Sequence, residues 1–322
     1  MNCLLRAASA LLSLTLLCGA PAAPASAEEA APLSIIATIF PAYDFARQLA
    51  GNTAHVSLLL PPGSESHSYE PSPKDMIAIQ QADLFLYAGG ESDHWVDELL
   101  ASLGDDAPRV FRLSDSVSLL EEQASASMED GHEHGSDDHA HDESESPELD
   151  EHVWTSPKNV MLIARDLCGT LSEIAPGSAA HYRRALDDYL AQLEELDAAF
   201  EKTVAEGKRD IIIFGDRFPF RYFAHDYGLR YDAAFPGCSE DSEPSVRTVI
   251  SLVDTVREQG IPVVFYLEFS SRRTADILAE ETGAKELLFH SCHNVSAGEL
   301  AAGVSYLSLM WQNVEALKEA LS

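Results

Sequence analysis

Four histidines, His132, His134, His139 and His141, fall within ten positions of a stretch, residues 128–147, that is crowded with Asp and Glu and has neither Lys nor Arg. Neutral imidazole is the commonest side-chain ligand for transition metals, so a His-rich tract reads compositionally as metal capture. The plainer reading is an acidic, solvated insertion with no ligand. Either way the tract buries too little apolar surface to offset its ordering entropy, and it is expected to be a disordered loop. A second set of candidates is scattered singly: His67 in PGSESHSYEPSP, His152 in DEHVWTSPKN, Asp216 in FGDRFPF, and His290 and His293 in FHSCHN. Imidazoles with one carboxylate suit a borderline divalent ion such as Zn²⁺, whereas Mn²⁺ takes more oxygen ligands. His55, His94, His181 and His225 fall on strand starts or helix faces and read as ordinary histidines.

The elements around these residues explain why they could meet. Short apolar runs at 34–38, 55–60, 83–87 and 109–113 predict strands, with helices at 43–50, 75–82, 94–103 and 157–174. After a long amphipathic run at 178–205 the same grammar returns. Strands are predicted at 210–214, 229–234, 262–267 and 285–289, and helices at 220–227, 246–259, 272–282 and 297–321. Strands alternating with helices mean βαβ units. The expected fold is α/β: two lobes with mostly parallel sheets flanked by helices, joined by one long helix. The boundaries are a signal peptide at 1–27, an N-terminal lobe at 33–175 that includes the acidic loop at 121–150, a linking helix at 176–207, and a C-terminal lobe at 208–322. Ligands of open α/β sheets bind beyond the carboxyl ends of strands. His67, His152, Asp216, His290 and His293 all stand at such ends or at the helix starts beyond them, so candidates from both lobes can converge in the cleft between them.

Residues 1–27 have the order of a secretory signal peptide: one charge at Arg6, a short apolar run, then Ala25-Ser26-Ala27. Cleavage after Ala27 is expected. Lipidation at Cys18 is the alternative, disfavoured by the bulky Leu17 before it. The chain therefore works outside the cytoplasm. Its net charge of −32, from 53 acidic and 21 basic residues, argues against nucleic acid or an anionic membrane as partner and suits a cationic ligand. Cys168, Cys238 and Cys292 are too few for a disulfide scaffold. Cys238 and Cys292 are open to pairing in an oxidising compartment, with Cys168 buried and inert.

With those residues in view, the chain resembles the metal-binding solute-binding proteins of ABC transporters for zinc and manganese, in particular the zinc-uptake type. The resemblance is carried by the Pro-Gly start of the first loop with His-x-Tyr-Glu-Pro at 67–71, by Asp-x-His-Val-Trp at 150–154 followed by Ser156-Pro157-Lys158-Asn159, and by the acidic His-rich insertion upstream. It implies one Zn²⁺ at the interface of two lobes and delivery of the ion to a membrane permease, with no catalysis and a monomeric carrier. It also implies that His67 and His152 are ligands. The C-terminal lobe departs from the family's pattern. Where the family has His or Glu before a Tyr-Phe pair, this chain has Gly215-Asp216-Arg217-Phe218-Pro219-Phe220-Arg221. His293 and Asp216 are favoured for the remaining ligands, with His290 next and Cys292 as an outsider. Glu268 matches an acid of the family and is read as orienting a ligand or forming a salt bridge. The rivals are a manganese carrier, a secreted zinc hydrolase, for which no H-E-x-x-H motif is present, and an adhesin.

Overall fold

The computed structural model describes residues 31–64, 69–123, 149–237 and 243–322. Two four-stranded, wholly parallel sheets carry the fold. The first has the order β2-β1-β3-β4, with β1 at Leu33–Ala37, β2 at Ala54–Leu58, β3 at Leu84–Tyr87 and β4 at Arg109–Arg112. The second repeats it as β6-β5-β7-β8, with β5 at Ile211–Phe218, β6 at Arg230–Pro236, β7 at Val263–Tyr266 and β8 at Lys285–Leu288. All four residues of β3 are buried, as expected of a strand covered on both faces. In each sheet the chain reverses its winding between the first and third strands of that half. These are the switch points at which open α/β sheets bind ligands.

The flanking helices of the first half are α1 (Phe40–Ala50), α2 (Pro73–Gln80), α3 (His94–Leu103) and α4 (Pro157–Ile174). Helix α4 starts where Ser156 Oγ accepts from the Lys158 and Asn159 amides, with Pro157 in its first turn. The long helix α5 (Ala179–Glu206) has 28 residues and buries Tyr182, Tyr189, Leu190, Leu193, Leu196 and Phe200. It is followed by α6 (Arg221–Tyr227), α7 (Val246–Gln259), α8 (Arg273–Thr282), α9 (Ala297–Ala301) and α10 (Tyr306–Leu321). One apolar cluster runs without a break from β1, α1 and α4 through α5 to β5, α6 and α10. The Asp44 carboxylate accepts from the Tyr306 amide at 2.9 Å, and Phe45 meets Tyr306 edge-on at 5.3 Å. The two sheets thus share a core, which resists hinge opening. Among the described residues no helix is long and apolar enough to cross a membrane.

Four expectations need correction. The closing helix expected at 297–321 is two helices, because Gly303 takes φ of 75° and Ser305 caps a new start with Ser308. Helix α1 begins at Phe40 rather than Tyr43, since Pro41 fits a first turn, where an amide hydrogen is not needed. Strand β5 continues past Phe214 to Phe218 through an irregularity in its pairing with β6, so Asp216 lies inside the strand and not beyond it. The acidic loop is narrower than 121–150: Glu121 bridges Leu149, and the Asp150 amide donates to Leu120 O at 2.9 Å. Residues 124–148, with His132, His134, His139 and His141, lie outside the described residues, as do the signal peptide and Cys18.

Candidate functional site

Residues 150–154 pass from the neck of the acidic loop straight into the interior, and all five are buried. Asp150 fixes the turn. Its Oδ1 accepts from the His152 amide at 2.8 Å and lies 3.1 Å from His152 Nδ1, while Tyr222 OH donates to Asp150 O at 2.7 Å. A carboxylate beside Nδ1 favours the proton there and puts the ring's lone pair on Nε2. Glu151 points the other way and accepts from Ser92 N at 3.0 Å and from Ser92 Oγ. Glycine is required at position 90, because a Cβ there would stand 2.3 Å from Glu151 Cβ. Trp154 is fully buried and its Nε1 donates to Ser291 O at 2.9 Å.

That last bond joins this segment to the loop after β8. The loop is pinned through its backbone. Asn313 accepts from His290 N at 2.7 Å and donates to His290 O at 2.8 Å. Glu268 accepts from Ser291 N at 2.8 Å and from Ser291 Oγ, which in turn accepts from His293 N at 3.2 Å. Cys292 sits at φ of 62°, a left-handed conformation that costs a non-glycine residue on the order of 1 kcal/mol. The reversal buries the Cys292 thiol and turns His293 the other way. The His293 and His152 rings meet edge-on with centroids 5.6 Å apart, and Trp154 lies against both, at 4.9 Å and 5.4 Å.

A cleft of about 460 Å³ opens beside this pair, lined by His152, His293, Arg217, Glu268, Ser291 and Asn294 among others. The sequence candidates therefore separate. His152 and His293 come together in the lining of the cleft. Asp216 does not line it: its two carboxylate oxygens accept from Arg217 N at 2.9 Å and Leu267 N at 3.1 Å, tying β5 to the turn after β7. His290 is buried behind the wall, its Nδ1 accepting from Cys292 N at 2.9 Å and standing 3.4 Å from Glu268, while its Nε2 finds no partner among the described residues. Cys292 is a free thiol that burial pushes far above its ordinary pKa, so it is not the soft thiolate a metal would want. Cys238 lies outside the described residues, as does His67. Among the described residues no three His, Cys, Asp or Glu side chains are grouped to hold one metal ion.

The loop that leads to position 67 is nonetheless anchored at the cleft. Asn294 Nδ2 donates to Pro61 O at 2.8 Å and Ser64 O at 2.9 Å, Gly63 N donates to Val295 O at 2.9 Å, and Ser64 lines the cleft. Asn294 and Asn313 were not candidates on the sequence; the only signal was an Asn directly after the FHSCH run. His293 also borders a second, smaller hollow at the switch point of the first sheet, with Thr38, Tyr69, Asp93 and Glu151. Burial there pushes the Asp93 carboxyl up to about 6, against the pull of the Gly89 amide.

Residues 35–320 match the family model described as zinc-uptake complex component A, periplasmic. The chain is 31% identical over 287 residues to the zinc-binding lipoprotein AdcA of Streptococcus pneumoniae, matching 89% of this chain but 55% of that protein. It is 30% identical over 289 residues to the high-affinity zinc uptake system protein ZnuA of Bacillus subtilis, covering 90% of this chain and 88% of that one. Among solved structures, the Zn(II)-bound ZnuA-like domain of Streptococcus pneumoniae AdcA superposes with a TM-score of 0.73 at 29% identity, over 90% of this chain and 99% of that domain.

Proposed function

The chain belongs to the zinc-uptake complex component A family, and from that premise we propose that it is an extracytoplasmic carrier that captures Zn²⁺ in the interlobe cleft and hands it to an ABC-transporter permease for import. It is a binding protein and no enzyme. The observation that carries the reading is the His152–His293 pair, two imidazoles with ring centroids 5.6 Å apart in the lining of one cleft, with Asp150 placing the lone pair of His152 on Nε2. His67 is the third ligand of this reading, supported by the anchoring of its loop to Asn294 and Val295. Nitrogen donors favour Zn²⁺ over Mn²⁺. Asp216 acts as a brace of the wall, since both its carboxylate oxygens already serve neighbouring backbone, and His290 braces the turn at Cys292 through Nδ1.

Release to a permease needs only rearrangement of loops at the cleft, because the shared core and the long α5 oppose a wide opening. In this reading the segment 176–207, which contains α5, divides an N-terminal lobe from a C-terminal one. The relatives named as lipoprotein and as uptake protein agree with an extracytoplasmic site of action, whether the chain is cleaved after Ala27 or anchored at Cys18. The acidic His-rich loop is proposed as a weak collector that feeds the cleft; deleting 129–142 would then slow zinc uptake at limiting zinc, and unchanged uptake would discard that role. The central test is crystallographic. Crystals of zinc-loaded protein measured at the zinc edge are expected to show one anomalous peak touching His152, His293 and His67, and a peak elsewhere would overturn the reading.

A further inference from the structure

The strand that delivers His152 belongs to the first half of the chain, yet a side chain that holds it comes from the second. Tyr222 lies in the first turn of α6 and is buried. Its hydroxyl donates to Asp150 O at 2.7 Å and accepts from Leu120 N at 3.2 Å, across 72 and 102 positions of sequence. The Asp150 amide in turn donates to Leu120 O at 2.9 Å. Tyr222, Asp150 and Leu120 thus close a ring of hydrogen bonds, and one hydroxyl supplies two of them. The ring lies at the neck of the acidic loop, directly inside the bridge between Glu121 and Leu149. Neighbouring contacts repeat the pattern: Arg221 Nε donates to Glu121 O at 3.4 Å, and Tyr231 OH, from β6, donates to Gln123 O at 3.3 Å. Phenylalanine has the same apolar bulk as tyrosine, so core packing alone gives the Tyr222 hydroxyl no task.

We propose that Tyr222 is a positioning residue for zinc capture: it fixes the main chain of Asp150, and through the Asp150 carboxylate it holds the His152 ring in register with His293. The inference rests on the zinc reading and adds to it a residue outside the ligand set. The carbonyl that Tyr222 holds and the carboxylate that orients His152 hang on one Cα, so a shift of the first carries the second. The bracing runs in both directions. His293 O accepts at 3.2 Å from Phe40 N, at the start of α1 in the first half. Each imidazole of the pair is therefore braced by the half of the fold that does not carry it, and ligand geometry depends on how the halves dock. A ring of hydrogen bonds strengthens that dependence, because loss of one bond loosens the others.

The test is a double-mutant cycle, read by competition titration of Zn²⁺ against a chelator. Tyr222→Phe is expected to weaken zinc binding about tenfold and Asp150→Asn about 30-fold, with the double variant no worse than Asp150→Asn alone; independent effects would multiply to about 300-fold. Glu268→Gln, on the other wall, is the control, and its several-fold loss should multiply with that of Tyr222→Phe. A second measurement uses the wild type and needs no variant to fold. Zn²⁺ should slow hydrogen exchange at the Leu120 amide about tenfold more than at the Arg230 amide, which bonds Asp210 O at the start of β6. Unchanged zinc affinity in Tyr222→Phe, multiplied losses in the double variant, or equal slowing at Leu120 and Arg230 would overturn the proposal and leave zinc capture standing. A wild type that binds no zinc would instead remove the functional reading beneath it.

Discussion

The two walls that present His152 and His293 are built in opposite ways. Residues 150–154 orient a ring: Asp150 bonds both the amide and the imidazole Nδ1 of His152. Residues 290–293 orient a backbone: Asn313 and Glu268 grip His290 and Ser291, and a left-handed Cys292 supplies the turn. The first device tunes the ligand's electronics as well as its direction, whereas the second controls position alone. Trp154 joins them, since it packs against both rings and bonds Ser291 O. A disturbance of one wall should therefore reach the other through Trp154.

The largest expected effect comes from deleting either ring. His152→Ala and His293→Ala should each weaken Zn²⁺ binding about 1,000-fold, or about 4 kcal/mol, in a competition titration; a large loss for one and none for the other would break the symmetry of the pair. The foundation common to both walls is next. Asp44 holds Tyr306 N, and Tyr306 OH donates to Trp154 O at 2.8 Å. Burial pushes the Asp44 carboxyl up to about 6. The folded chain thus keeps this proton to higher pH than the unfolded one, whose carboxyl titrates near about 3.9. The resulting stability is complete below about pH 4 and is lost as pH rises through 6, about 3 kcal/mol in all. Urea midpoints between pH 4 and 7 should show that decline, and Asp44→Asn should make it shallower, with Asp93, also pushed up to about 6, contributing the remainder.

Asp150→Asn separates the two devices. The amide preserves shape but no longer favours the same tautomer, so zinc affinity should fall about 30-fold with melting temperature little changed. Glu268→Gln, by contrast, is expected to act on position. It weakens the grip on Ser291 and should cost about 1 kcal/mol of stability in thermal unfolding, with only a several-fold loss of affinity. If Glu268→Gln proved the worse of the two for zinc, the distinction between an oriented ring and an oriented backbone would have to be abandoned.

Much of this molecule is written locally. The starts of α4 and α7 follow from the Ser156 and Ser245 caps and the stops of α3 and α7 from Gly104 and Gly260, and the expected and observed spans agree at 94–103, 157–174 and 246–259. The parallel sheets follow from strands alternating with helices, and the long apolar stripe at 178–205 became α5. The place of His152 on the cleft was legible because Asp150 and Trp154, which orient and support it, lie two residues away on either side. Which residue of the FHSCHN run faces the cleft was not legible. His290 and His293 are chemically alike, and the choice rests on Asn313 and Glu268, each more than twenty residues distant, and on the φ of Cys292. Asp216 lies away from the cleft lining for the same reason. A carboxylate at a strand end is a plausible ligand by type, but only the fold brings Leu267 N within 3.1 Å of it, fifty-one residues on. The sequence by itself determined residue chemistry and near-neighbour geometry. Tertiary structure decided which of those groups remained available, because hydrogen-bond satisfaction in a buried wall depends on partners that chain distance does not reveal.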